Sequence, residues 1–319
     1  MLSRTAASLY WIARYLERAE TTARLMDVGF RNALLPNTGG GYRNEWAAIL
    51  QASGCAQAFA EKFGPGTPVQ RDVETFLFFD AENPSSVAAC LTAARENARI
   101  VRTALTSLVW DALNGAFQEL RQMQRTERSK LPLPDLTDWT RRTGAQVRGA
   151  IEGTQLRDDG YHFLGTGFAI ERADNTARML DVKYYVLLPS VTYVGSGLDT
   201  YQWTTLLRAM SAHRAYGWAY GGELTPARIA HFLILNRQFP RSLLTCIGQA
   251  TDHLEHLSRG YGRGTSAQAC ARRMLGELAE ARVEEIFDEG LHEFLTRFIG
   301  ENAALAQAVH DSYLTGEAR

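Results

Sequence analysis

Apolar residues recur at intervals of three and four through most of the 319-residue chain, the spacing of helices that bury one face. From about Thr5 to Leu35 the stripe is Ile12, Tyr15, Ala19, Ala23 and Met26, and Pro36 with the run Gly39 to Gly41 ends it. A second helix is predicted from near Asn44, carrying Trp46, Ile49, Leu50, Ala56 and Phe59 until Gly64-Pro65-Gly66. A short third helix covers about Asp72 to Phe79, followed by a polar turn from Asp80 to Asn83. Pro84, suited to a first helical position, opens a fourth through Ser85 to Leu105, and helical sequence continues to about Arg128. Leu131 to Trp139 reads as a proline-marked connector, with another helix running on to about Gln155. No segment alternates at period two for long enough to be a strand, so the class is all-α.

After Gly160 the order repeats. Arg14 to Val28, RYLERAETTARLMDV, has a near copy in Phe168 to Val182, FAIERADNTARMLDV, which ends at Pro189 as the first copy ends at Pro36. A turn rich in Gly and Ser leads to Trp203, Leu206 and Leu207, which match Trp46, Ile49 and Leu50. Phe232, Leu233, Pro240, Ser242 and Cys246 answer Phe76, Leu77, Pro84, Ser86 and Cys90. The separations drift only from 154 at Glu17 and Glu171 to 157 at Trp46 and Trp203, as changes in loop length produce. The expectation is a helical bundle of two tandem-duplicated repeats, residues 1–155 and 156–319, packed as one domain in a pseudo-twofold arrangement.

Composition narrows the function. The 34 basic and 35 acidic side chains cancel, which removes the electrostatic case for nonspecific nucleic-acid binding or a membrane surface. No apolar run reaches the ~18 residues of a membrane span, and early charges interrupt any signal-peptide core. The four cysteines, Cys55, Cys90, Cys246 and Cys270, form no CxxC pair and read as free thiols of a reducing cytosol. A cytoplasmic chain is expected.

The repeated phrase carries the candidate chemistry. Glu17, Glu20 and Arg24, and again Glu171, Asp174 and Arg178, fall at i, i+3 and i+7 within one narrow stripe of a helix. Arg18 and Arg172 lie about 100° round and widen the stripe. A structural reading pairs Glu20 with Arg24 and Asp174 with Arg178 as a seam between helices. Exposed pairs of that kind contribute only about 0.3–0.5 kcal/mol, little reason for both copies to carry the same pattern. A metal reading resembles carboxylate dimetal bundles, but those add a histidine three residues after a glutamate, where these stripes supply arginine. The remaining reading is an anionic or zwitterionic ligand, forked by arginine and oriented by the acids. Arg95, Arg99 and Arg102 beside Glu96 read as a solvated face, and Asp252 with His256 as surface polar residues. No Walker loop, dinucleotide fingerprint or nucleophile elbow is present.

The N-terminal LSRTAASLYWIARYLERAETTARLMDV, ARENARIVR, GFAIERADNTARMLDVKYYVLLP, Trp203 to Leu207 and LILNRQFPRSLLTCIG resemble, in order, the bacterial alpha-E domain family. The resemblance implies an all-α protein encoded beside, or fused to, a circularly permuted ATP-grasp enzyme, often with a transglutaminase-like peptidase nearby. It implies a role in ATP-dependent amide or peptide formation, with ATP and Mg on the ATP-grasp partner and no cofactor on this chain. The family's acid and arginine motif falls on Glu17, Arg18, Glu20 and Arg24, and on Glu171, Arg172, Asp174 and Arg178. These eight residues are expected to bind the acyl acceptor, a small molecule or peptide, or the activated acyl intermediate. The alternative is a non-catalytic helical scaffold for the ATP-grasp partner. One departure is Leu108, two residues before Trp110, where the family tends to carry a glutamate.

Overall fold

The computed structural model describes residues 1–34, 45–187 and 197–315, and every regular element among them is helical. Pro36, Gly39 to Gly41, Asn44, Pro189 and the Gly- and Ser-rich turn after it lie outside the described residues. In chain order the helices are α1 (Ser3–Ala33), α2 (Glu45–Ala52), α3 (Ala56–Phe63), α4 (Gln70–Glu74), α5 (Val87–Ile100), α6 (Ser107–Arg125) and α7 (Leu133–Thr154). They continue with α8 (Asp159–Leu187), α9 (Gly197–Ala209), α10 (His213–Tyr220), α11 (Pro226–Ile234), α12 (Leu243–Tyr261), α13 (Ser266–Glu280), α14 (Val283–Glu289) and α15 (Leu291–Val309). No helix among the described residues is long and apolar enough to cross a membrane.

Three boundaries differ from the sequence reading. Pro84 does not open the fourth helix: it lies in the turn before the cap residue Ser86, and α5 runs only from Val87 to Ile100 rather than from Ser85 to Leu105. The expected second helix is two, because at Ser53-Gly54 the chain turns out of α2 through a left-handed Gly54 at φ 71°. The proline-marked stretch is no connector. Pro134 falls in the first turn of α7, where a missing N–H costs nothing, so the helix already runs from Leu133.

The two longest helices, α1 and α8, form the centre. α5 and α7 pack against α1, while α12 and α15 pack against α8. α1 is consequently buried on almost every side, from Leu9, Ile12 and Leu16 on its apolar stripe to Glu17, Glu20 and Arg24 on its charged one. α5 starts at Ser86, whose hydroxyl accepts the Ala89 N–H at 3.0 Å and donates to the Asp80 carbonyl at 2.6 Å. α12 starts the same way, with Ser242 accepting from Thr245 N–H at 3.1 Å and donating to the Asn236 carbonyl at 2.6 Å. Such caps satisfy amides that the first helical turn leaves without partners. Cys55, Cys90 and Cys246 are buried free thiols, and Cys270 is half-buried.

The crossing of α1 and α8 is close because Gly167 has no side chain. A Cβ there would overlap the Tyr10 carbonyl oxygen and stand 3.0 Å from the Ala13 methyl. Alanine is favoured over glycine inside helices by about 0.8–1.0 kcal/mol, yet the crossing reverses that preference here. Gly167→Ala is expected to lower unfolding stability by about 1–3 kcal/mol in urea titrations. Gly149→Ala on the exposed side of α7, where an added methyl meets nothing within 4 Å, is expected to raise it.

Candidate functional site

At the crossing the charged stripes of α1 and α8 face each other, and their glutamate-arginine dipeptides interlock. Arg18 donates from Nε to Glu171 Oε1 at 2.6 Å and from Nη2 to Oε2 at 3.1 Å. Arg172 donates from Nη2 to Glu17 Oε2 at 3.0 Å. Each helix thus neutralises the other's glutamate with the arginine that follows its own. Consecutive helical residues diverge by about 100°, which lets the acid sit in the seam while the neighbouring guanidinium reaches across it.

Around Glu17 and Glu20 the network is closed. Arg241, in the turn before α12, donates to Glu17 Oε1 at 2.5 Å and to Glu20 Oε1 at 2.7 Å. Arg148 of α7 donates to Glu20 Oε2 at 2.6 Å and Glu17 Oε2 at 3.3 Å, and Arg24 donates to Glu20 Oε1 at 2.5 Å. Gly144 makes room, since a Cβ there would come within 2.6 Å of Glu20 Oε2. Arg24 ends on the Ala209 carbonyl and, at 3.1 Å, the Ser211 hydroxyl. Burial alone would raise Glu17, but Arg172, Arg241 and Arg148 outweigh it and hold the carboxyl well below its usual range. Glu20 is lowered in the same way, with burial again opposing Arg241. Four guanidiniums serve two carboxylates, and the surplus shows in Arg24, which burial and then Arg241 bring down to about 10.

Around Glu171 and Asp174 the arrangement is open. Glu171 is buried, and burial is outweighed by Arg14 and Arg18, so its carboxyl is lowered too. Arg14 donates to Glu171 Oε2 at 2.5 Å and to the Tyr10 hydroxyl at 2.8 Å, with its guanidinium over Trp11. Asp174 pairs with Arg178, from Nε to Oδ2 at 2.7 Å, and these two side chains are 18% and 33% exposed. A cleft of about 240 Å³ opens here, and Arg18, Glu171, Asp174 and Arg178 line it beside Thr21 and Ser85. A larger cleft, about 440 Å³ between α13, α14 and α15, is lined by surface glutamates, with Arg297 already paired to Glu289 and Glu301. It is remote from the stripes and brings no catalytic or binding set together.

Of the eight residues singled out in the sequence, four line the cleft: Arg18, Glu171, Asp174 and Arg178. Glu17, Glu20, Arg24 and Arg172 lie in the closed network beside it. Sequence reasoning missed Arg14, Arg148 and Arg241 as partners. For Arg241 a signal existed, because Pro240-Arg241-Ser242 lies over Pro84-Ser85-Ser86 with arginine in place of serine. Arg95 and Arg102 stack on Trp110, and Glu96 bonds Arg95 and Arg99, an aromatic and ionic surface face beside exposed Leu108. His256 bonds the Asp252 carbonyl and stacks on His162, which in turn meets His253 at 3.0 Å. Among the described residues no group of three or more His, Cys, Asp or Glu is arranged to hold a metal ion. Cys90 and Cys246, beside the two networks, are raised by burial to about 12 and stay thiols at neutral pH.

Removing one partner of a buried ion pair strands the rest. Glu17→Gln is therefore expected to cost about 3–5 kcal/mol of stability in denaturant titrations. The depressed carboxyls add a pH dependence of fixed sign. Their contribution is full above the unfolded glutamate value and is lost as pH falls through the lower folded values, so Tm should fall from about pH 5 downward. In thermal scans the Glu171→Gln protein should show a shallower acid slope than the parent.

No curated protein and no solved structure matches the chain. One family model does, described as a predicted alpha-helical domain with a conserved ER motif, and it matches residues 1–314. The dipeptides Glu17-Arg18 and Glu171-Arg172, crossed between α1 and α8, fit that description. With nearly its whole length matched, the chain belongs to the Alpha-E family.

Proposed function

We propose that this Alpha-E protein is the binding subunit of an ATP-grasp-associated amide-forming system, and that it holds the acyl acceptor or the activated acyl intermediate in the cleft between α1 and α8. The observation that carries the reading is the cleft itself, in which the Asp174–Arg178 pair is partly exposed next to Arg18 and buried Glu171, beside a network of the same residue types that is closed. ATP and Mg²⁺ belong to the partner, a circularly permuted ATP-grasp protein, with a transglutaminase-like peptidase as a further neighbour in a cytoplasmic pathway. In such a system a carboxylate takes a phosphoryl group from ATP, the acceptor amine attacks the acyl carbon, and phosphate leaves as the nitrogen loses its proton. Arg18 and Arg178 suit an acyl phosphate or carboxylate, and Glu171 and Asp174 suit an amine. The buried thiols are poor acyl carriers, which favours holding the substrate over covalent relay.

The reading includes an internal duplication, with residues 1–155 and 156–319 as two halves of one domain. Three pairs of local geometries support it. Thr22 donates to the Ser85 carbonyl at 2.9 Å and Thr176 to the Arg241 carbonyl at 2.8 Å. Gly54 and Ser211, at the ends of matching turns, both have positive φ, 71° and 57°. The serine caps of α5 and α12 agree as well.

A second reading, a non-catalytic scaffold for the ATP-grasp protein, is favoured by the burial and mutual pairing of Glu17, Glu20, Arg24 and Arg172. Co-expression with the ATP-grasp protein, followed by ADP release and amide formation, separates the two. Asp174→Asn and Arg178→Ala touch partly exposed side chains, so both proteins should fold while amide formation drops by about tenfold or more. Parental activity in both would remove the cleft from the mechanism and leave the scaffold.

A further inference from the structure

The closed half of the network contains what the open half lacks. By the 156-residue separation of Pro84 and Pro240, Arg241 holds the position that Ser85 holds in the first half. The main chains there agree, since both carbonyls accept from matched threonines. The side chains do not. Arg241 sends its guanidinium across both acids of α1, Nη1 to Glu17 and Nη2 to Glu20, whereas Ser85 stops short of Glu171 and Asp174 and leaves the cleft.

Resting on the reading of this cleft as a ligand site, we infer that it takes a guanidinium or primary ammonium group, seated between Glu171 and Asp174 as the Arg241 guanidinium is seated between Glu17 and Glu20. The ligand class is thus the amine-bearing acyl acceptor, not the acyl phosphate. Partner counts agree with this. Glu20 receives guanidinium N–H groups from Arg24, Arg148 and Arg241, while Asp174 receives them from Arg178 alone. The second Asp174 oxygen, Oδ1, has only a 3.5 Å contact to Arg178 Nη2, although a carboxylate accepts at about four lone-pair sites. Aspartate in place of glutamate also sets the carboxyl back by one methylene, widening the cleft. Arg14 bonds Glu171 but not Asp174 and does not line the cleft, being tied to Tyr10 and stacked on Trp11. This half therefore carries three guanidiniums, Arg14, Arg18 and Arg178, against two carboxylates, one fewer than the four that serve Glu17 and Glu20. The Nδ2 of Asn175, a residue of the same wall, is bonded to the Glu17 carbonyl at 3.2 Å, which leaves its oxygen as the end that can accept from a ligand N–H.

The test uses ethylguanidinium, propylammonium and inorganic phosphate as separate probes, titrated into the full chain and followed by ligand-observed NMR and calorimetry. At least one of the two organic cations should bind the parent protein, and which one binds best identifies the head group. Binding should weaken by about tenfold or more in Asp174→Asn, which deletes a charged acceptor. Ser85→Arg, which supplies from the chain the guanidinium that Arg241 supplies opposite, should abolish it and raise Tm. Cations that fail to bind the parent, or bind both variants as well as the parent, would overturn the inference. Phosphate binding that is lost in Arg178→Ala, without cation binding, would overturn it and keep the cleft as an acyl phosphate site. Full amide formation by the Ser85→Arg protein with its ATP-grasp partner would discard the cleft and the inference together.

Discussion

A carboxylate taken out of water loses several kcal/mol of hydration, and α1 and α8 bury three of them where the helices cross. They remain ionised because each is matched by guanidiniums from the opposite helix or from elements packed behind it. Glu17 draws on α8, α7 and the turn before α12, and Glu171 draws on Arg14 and Arg18 of α1. Apolar packing sets no strict register between two long helices, since leucine and alanine stripes tolerate small slides. The crossed pairs do. Only one register lets Arg18 reach Glu171 while Arg172 reaches Glu17, and a one-residue slip would break both crossed pairs in a buried seam. Gly167 and Gly144 follow from the same constraint, as the first admits the close crossing and the second admits Glu20 and Arg148.

With the register set, small differences decide which side is a seam and which a cleft. Arginine at 241 closes one set of acids; serine at 85, glycine at 54 and the shorter aspartate at 174 leave the other open. Both sides have the same caps and nearly the same turns, so the scaffold does not depend on the opening. The proposed ligand site relies on that separation. The cleft residues are held in place by ion pairs within the protein, Arg14 and Arg18 to Glu171 and Arg178 to Asp174.

The helical class was legible because apolar period reports directly on the face a helix buries, and the repeated phrase located the charged stripes on α1 and α8. Ends were less legible. The break at Ser53-Gly54 sits inside an uninterrupted apolar pattern, and the first turn of α7 hides behind a proline that helices accept there. Periodicity does not say whether the charged stripe of α1 faces water or another helix, and it is buried because α5, α7 and α8 enclose the helix.

What the sequence determined by itself was therefore the all-helical class and the place of the two charged stripes on α1 and α8. Family membership agrees with the helical class and with the glutamate-arginine dipeptides. What only tertiary structure decided was the pairing. Spacing along a helix says which side chains share a face and nothing about what stands opposite, and the deciding arginines come from far away in the chain. Arg148 is 131 residues from Glu17, and Arg241 is 224. Until those elements are packed, Glu17 and Glu171 are the same residue in the same motif. Packing makes the first part of a sealed network and the second one wall of a cleft.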